Sequence, residues 1–204
     1  ALLSATAGAD YCGCIVDVKR SPRSLSLDEA RKLTVEIRNK TVLLLEPRNF
    51  NLASAFTPLP SAVQVVEPYS LNDIRSLRKT FTNEIWAMAG IGSTEIRPVQ
   101  EIISALTQII ESGADRIVLD TSVKGGPSGG TGRTFDWKIG RTVVDRLNVP
   151  VFLAGGLGPH NVAEAVAEVR PAGVDVSSGV ELSPGKKDGS KIKTFITRIR
   201  NESG

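Results

Sequence analysis

The chain has 204 residues, of which 41% are hydrophobic and 23% charged, so it suits one large domain or two small ones with a sizeable core. No apolar run approaches the roughly 20 residues of a membrane helix, and no secretory leader is visible, which predicts a soluble, cytoplasmic protein. The net charge of +3 comes from scattered lysines and arginines, which favours a small anionic ligand over a nucleic-acid track.

Short apolar runs alternate along the chain with helical patterns, which predicts an α/β fold with a parallel sheet and crossover helices. The seven predicted strands are residues 11–17, 41–45, 62–66, 84–89, 116–120, 151–154 and 173–176. Amphipathic helices are predicted over residues 99–110, 162–169 and 192–199. Ser26 and Glu29 form a predicted capping box, and Asp136 is a predicted N-cap.

Cys12 and Cys14 alternate along the first predicted strand, so both thiols point to one face and are too close in sequence for an ordinary disulfide. A metal site would need two more ligands, and the only histidine, His160, is far along the chain. We therefore predict two buried structural thiols, no metal site, and a surface position for His160.

An internal repeat indicates how many units the fold contains. The sequence Gly-Ala-Asp occurs at residues 8–10 and 113–115, each time before a strand that ends in aspartate, and the spacing gives a repeat of about 26 residues. Eight such units would close a TIM (βα)8 barrel, which we predict as a single domain over residues 1–204. Residues 1–7 resemble the end of a helix with Gly8 as its C-cap. We therefore expect that the first strand is absent from this sequence, or that the barrel is incomplete.

Asp120 is the first candidate for chemistry, because it ends a strand too apolar for the surface. A carboxylate at the end of a sheet that is buried on both faces costs folding free energy unless it has a hydrogen-bond or charge partner, or a functional role. The glycine-rich loop that follows, residues 125–132, can fold over a small anionic ligand. Phe135 and Trp137 beyond the loop either form the floor for an aromatic ligand or anchor the loop to the barrel.

The last two predicted strands both end in glycine-containing turns. In eightfold barrels the loops after strands seven and eight commonly bind phosphate through backbone N–H groups. The predicted donors are Gly155, Gly156, Ser178 and Gly179. The alternative is that these glycines only make tight turns.

Four segments, residues 21–24, 129–137, 153–162 and 174–181, resemble motifs of phosphoribosylanthranilate isomerases of tryptophan biosynthesis. The resemblance runs in order from about residue 7 to Phe195. It implies a (βα)8 barrel that converts N-(5-phosphoribosyl)anthranilate to 1-(2-carboxyphenylamino)-1-deoxyribulose 5-phosphate. This Amadori rearrangement uses general acid/base catalysis and needs no cofactor or metal.

The resemblance also implies residue roles. Asp120 would be the acid that protonates the ring oxygen of the sugar, and a partly desolvated site should raise its pKa. Arg23 would hold the anthranilate carboxylate, although it is alternatively a surface loop arginine. Asp175 would lie near the bridging amine and ribose hydroxyls, or else be a structural carboxylate. Gly155, Gly156, Ser178 and Gly179 would contact the phosphate.

Two departures from the family pattern leave alternatives open. Residues 64–67, Gln-Val-Val-Glu, lack the histidine of the usual Gln-Leu-His-Gly. The family's base is a cysteine on the first strand, upstream of Ala1, and we expect severely impaired catalysis if the chain truly begins there. The alternatives are a related sugar-phosphate isomerase and a catalytically impaired phosphate-binding barrel. A monomer and a homodimer are both compatible with the sequence.

Overall fold

The computed structural model describes residues 1–37, 41–122 and 134–202, so the glycine-rich loop at 125–132 lies outside the described residues. The chain divides into two compact units. The first unit comprises Ala1–Met88 and Ile109–Asp115, and the second comprises Ala89–Gln108 and Arg116–Gly204. One domain over residues 1–204 stays a prediction.

The first unit is built on parallel strands in chain order, β1-β2-β3-β4. Its strands are β1 Cys12–Ile15, β2 Thr41–Leu45, β3 Ala62–Val65 and the first part of β4 Glu84–Gly92. Its helices are α1 Leu2–Thr6, α2 Leu27–Ile37, α3 Leu71–Thr80 and a 3-10 helix Pro47–Ala55. All four residues of β3 are buried, as expected for a strand covered on both faces.

The second unit continues the parallel order as β4-β5-β6-β7. Its further strands are β5 Arg116–Ser122, β6 Val151–Leu153 and β7 Gly173–Val174. Its helices are α4 Val99–Glu111, whose end belongs to the first unit, α5 Trp137–Arg146, α6 Val162–Val169 and α7 Gly189–Glu202. A 3-10 turn, Ser178–Val180, precedes an antiparallel hairpin of β8 Glu181–Ser183 and β9 Lys186–Lys187.

All seven predicted strands are present, with differences at their ends. Strand β4 continues three residues past its predicted end because Ile91, between two glycines, is a buried core residue. Gly8 is not the C-cap of α1 as predicted. The helix ends at Thr6 with Ala7 as its cap, and Gly8 follows with φ of 99°.

Capping groups begin three of the helices. The Ser26 N–H and hydroxyl donate to the Glu29 carboxylate at 2.8 and 2.7 Å, which confirms the predicted box before α2. Asp136 accepts from the Lys138 N–H at 3.0 Å and confirms the predicted cap of α5. A second box, Ser70 with Asp73, begins α3 and was not predicted.

The cysteine prediction is confirmed in its structural part, since Cys12 and Cys14 are buried and form no disulfide. Across the described ranges, no group of three metal-ligating side chains comes together. None of the helices there combines the length and apolar character that crossing a bilayer requires.

Candidate active site

The candidate site lies at the carboxyl ends of β5, β6 and β7 in the second unit. Strands β5 and β6 are in parallel register, with Leu119 beside Leu153. The next residues, Asp120 and Ala154, therefore emerge at the same end of the sheet, where the Ala154 N–H donates to the Leu119 carbonyl at 2.7 Å. Asp120 is partly exposed there.

Gly155 brings the loop after β6 directly against Asp120. A Cβ atom on Gly155 would overlap the backbone N and the hydroxyl of Thr121, and would lie 2.7 Å from Asp120 Oδ1. Gly155 also has a φ of 82° and Gly156 a φ of 67°, a region that favours glycine. No described residue accepts a hydrogen bond from either glycine N–H. Two backbone donors without an acceptor among the described residues therefore lie close to a carboxyl group.

The loop after β7 packs on the loop after β6 through the main chain. A Cβ on Gly179 would overlap the Leu157 carbonyl oxygen and lie 3.0 Å from the Gly158 Cα. Asn161 braces the β6 loop, because its side chain accepts from the Gly158 N–H at 2.9 Å and donates to the Gly156 carbonyl at 3.1 Å. The predicted phosphate donors of the two loops therefore lie in one cluster with Asp120.

Asp175 follows β7 immediately, and its N–H donates to the Leu153 carbonyl at 2.8 Å. The Asp175 residue as a whole is exposed to solvent, but many protein atoms surround its carboxyl group. Desolvation is the larger influence and raises the pKa of this carboxyl, while the Lys187 charge and the Val176 N–H oppose the rise.

The segment that returns to α5 is anchored at Thr121. The Phe135 N–H donates to the Thr121 hydroxyl at 3.2 Å, and the Phe135 side chain is buried. This burial supports the anchor interpretation of Phe135 over a ligand floor. His160 is exposed, as predicted.

Arg23 lies in the first unit, on the loop between β1 and α2. The loop backbone is pinned, since the Arg23 N–H donates to the Ser21 hydroxyl at 3.2 Å and the Val18 N–H to the Ser24 hydroxyl at 2.9 Å. The Arg23 side chain is partly exposed. Its role in binding stays a prediction.

A second feature of the first unit was not predicted. Glu46, just after β2, pairs with Arg20 at 3.2 Å and with Arg48 at 2.8 Å. The Glu46 side chain is 15% exposed, whereas the two arginines are about half exposed. Arg48 is a sequence neighbour of Glu46, but Arg20 lies 26 residues before it, so the local sequence does not reveal the three-residue network.

Comparison with known proteins identifies the family. The family model for N-(5'-phosphoribosyl)anthranilate (PRA) isomerase matches residues 93–198. An N-(5'-phosphoribosyl)anthranilate isomerase of Methanothrix thermoacetophila is 36% identical, over 96% of this chain and 89% of the relative. This chain belongs to the phosphoribosylanthranilate isomerase family.

Solved structures of phosphoribosylanthranilate isomerases agree with this assignment. The crystal structure from Thermotoga maritima has a TM-score of 0.79 and 31% identity, covering 98% of this chain and 92% of that one. A family structure in complex with reduced 1-(o-carboxyphenylamino)-1-deoxyribulose 5-phosphate has a TM-score of 0.76 and 29% identity, with the same coverage. The resemblance stated from the motifs and the predicted TIM-barrel fold class are therefore confirmed.

The Cys14 thiol on β1 is almost completely buried. Burial raises the pKa of the Cys14 thiol to about 11, so the group is protonated at neutral pH. The neighbouring Cys12 thiol faces the start of α1, where it donates to the Ala1 carbonyl at 3.4 Å.

Proposed function

We propose that this protein is a cytoplasmic phosphoribosylanthranilate isomerase of tryptophan biosynthesis, acting as a monomer or homodimer of a single domain. The observation that carries the proposal is the contact between Asp120 and Gly155. This contact supports a site in which the Asp120 carboxyl group lies close to backbone amides of the loop after β6. Membership of the family supplies the reaction class.

The phosphate of the substrate is proposed to bind the N–H groups of Gly155, Gly156, Ser178 and Gly179. Main-chain donors approach phosphate oxygens most closely where no Cβ intervenes, and the close packing at Gly155 and Gly179 excludes any side chain. Binding here anchors the substrate at one end and leaves the sugar ring next to β5.

Asp120 is proposed to open the sugar ring. As the bond between C1 and the ring oxygen breaks, Asp120 gives its proton to that oxygen, and the lone pair of the bridging nitrogen forms a C1=N bond. Loss of the C2 proton then yields an enolamine. The ketone forms when C1 gains a proton and the C2 hydroxyl loses one. All electrons stay within the substrate, so the reaction needs no redox cofactor.

Arg23 and Asp175 are proposed to position the remainder of the substrate. A guanidinium fork suits the planar anthranilate carboxylate. Asp175 follows β7 and is proposed to accept hydrogen bonds from the ribose hydroxyls or the bridging amine. The family's cysteine base would take the C2 proton, and the protonated thiol of Cys14 supports leaving Cys14 out of that step.

Turnover of phosphoribosylanthranilate tests the proposal directly. We expect the fluorescence of the anthranilate substrate to disappear on adding the protein. Binding of inorganic phosphate without turnover would leave a phosphate-binding barrel and refute the isomerase. A related sugar-phosphate isomerase is favoured by the altered segment at residues 64–67, and turnover of another phosphosugar alone would select it.

A further inference from the structure

The hairpin β8–β9 follows the predicted phosphate loop and contains a buried ion pair. Glu181 and Lys187 face each other in the hairpin register, and Lys187 Nζ lies 3.1 Å from Glu181 Oε1. The Glu181 side chain is only 4% exposed and that of Lys187 25%. Burying two charges carries a desolvation cost that a matched apolar pair would avoid, so stability alone explains this pair poorly.

Lys187 also reaches the loop after β7. Its Nζ donates to the Ser177 carbonyl at 2.8 Å. The Ser177 carbonyl and the Ser178 N–H belong to one peptide unit, and in a trans peptide they point in opposite directions. Holding the carbonyl towards the hairpin therefore aims the Ser178 N–H away from the hairpin.

The main chain of Glu181 is held on both sides. Its N–H donates to the Ser178 carbonyl, which closes the 3-10 turn, and its own carbonyl accepts from Lys191 Nζ at 2.9 Å. Glu181 therefore provides a fixed anion, and Lys187 is held between that anion and the Ser177 carbonyl. The orientation of the Ser177–Ser178 peptide follows from this arrangement.

We propose that Lys187, held by Glu181, is a positioning residue that orients the Ser178 N–H for the phosphate of the substrate. The inference rests on the proposed function, because it takes the loop after β7 as part of the phosphate site. Lys187 acts through the main chain of Ser177, without contact to the substrate. Without this bond the Ser177–Ser178 peptide samples other orientations, and only a fraction of molecules presents the donor correctly.

The test is Lys187→Met, measured by the Kd for inorganic phosphate, by KM and by kcat. Loss of a charge-assisted hydrogen bond should raise Kd and KM about tenfold, with kcat changed less than about threefold. Lys187→Arg should restore most of the affinity, because a guanidinium also donates to both acceptors. The control is Lys186→Met, an exposed neighbour on the same hairpin, which should change Kd by less than about twofold.

If Lys187→Met fails to fold, Glu181→Gln provides the second variant, since it removes the anion but retains an acceptor. It should raise the phosphate Kd severalfold. A lower unfolding midpoint with unchanged Kd and KM in either variant would show a purely structural pair and overturn the inference. Wild-type turnover is measured first, so a lack of turnover refutes the proposed function while the phosphate titrations still decide the role of Lys187.

Discussion

The residues that follow the strands interact in different ways in the two units. In the second unit the loops after β6 and β7 approach Asp120 and each other through glycine main chain, at Gly155 and Gly179. In the first unit the residues after β1 and β2 form a side-chain ion network of Arg20, Glu46 and Arg48. The main-chain arrangement is dictated by glycines that are visible in the sequence, whereas the side-chain network depends on the tertiary fold.

The difference also predicts how each region responds to an anion. The arginines of the first unit are about half exposed, so solvent and salt screen their charges. Backbone amides beside a packed glycine have a fixed direction and lose little entropy on binding. We therefore expect tight phosphate binding in the second unit and weak, salt-sensitive attraction in the first.

The largest expected effect is that of Asp120→Asn. Removing the proton donor should lower kcat/KM by about 10²- to 10⁴-fold, while the Kd for inorganic phosphate stays within a few-fold. Steady-state fluorescence kinetics and a phosphate titration measure the two quantities. The control is Asp145→Asn, an exposed member of an ion pair with Arg141 on α5. Equal losses of turnover and phosphate affinity would refute the separation of roles.

Gly155→Ala tests whether main-chain packing at this glycine excludes a side chain. A methyl group would overlap Thr121 at a positive φ, so we expect a loss of about 3 kcal/mol in the free energy of unfolding by urea, and loss of phosphate binding. Gly13→Ala in the first unit is the control. Its Cβ would meet only the flexible end of Leu44 at 3.1 Å, and should cost less than about 1 kcal/mol. Similar costs for the two variants would contradict this comparison.

Arg23→Lys tests the first unit. Replacing the guanidinium fork by an ammonium should raise KM about tenfold for the substrate with the ring carboxylate. KM for a decarboxylated analogue should change little, because that analogue lacks the anion. The ratio of the two kcat/KM values is the measurement, and an unchanged ratio would count against the assigned role.

The smallest expected effect concerns Glu95, in the loop after β4. Hydrogen bonds from the Arg97 side chain are the main cause that lowers the Glu95 pKa from 4.5 to about 2, and the Arg97 and Gly92 N–H groups add to it. A depressed pKa stabilises the fold above pH 4.5, and this contribution is lost as the pH falls towards 2.

Glu95→Gln should therefore cost roughly 1 kcal/mol in unfolding free energy at pH 7, a value reduced because Arg97 is about half exposed. Urea unfolding at a series of pH values should show the difference from wild type narrowing below pH 4.5. The control is Glu168→Gln, on the exposed face of α6. A difference that is constant with pH would rule out the electrostatic explanation.

Much of the fold and part of the site could be predicted from local patterns. Buried parallel strands appear as continuous apolar runs, and the Ser26 and Asp136 caps depend on side chains next to the helix start. Asp120 and Gly155 lie at one edge of the sheet because β5 and β6 are parallel neighbours and each residue follows the carboxyl end of its strand. The prediction that Gly8 caps α1 was wrong by one position. The cap is Ala7, and a glycine with positive φ commonly follows the capping residue.

The remaining features depend on contacts that local patterns do not encode. Strand β9 has two residues, too few to show alternation. Lys187 was therefore not distinguished from exposed lysines such as Lys186. The bridging role of Asn161 depends on the tertiary fold. Helix α3 did have local signals that were not used, namely the Ser70 and Asp73 spacing and the apolar positions Ile74, Leu77 and Phe81.

The central claim is that main-chain amides of the second unit hold the phosphate beside Asp120. Titration of ¹⁵N-labelled protein with inorganic phosphate, followed by amide NMR shifts, tests it most directly. We predict saturable shifts that are largest at Gly155, Gly156, Ser178 and Gly179. Shifts that are largest at Arg20, Arg23 and Arg48, with those four amides unmoved, would contradict the account.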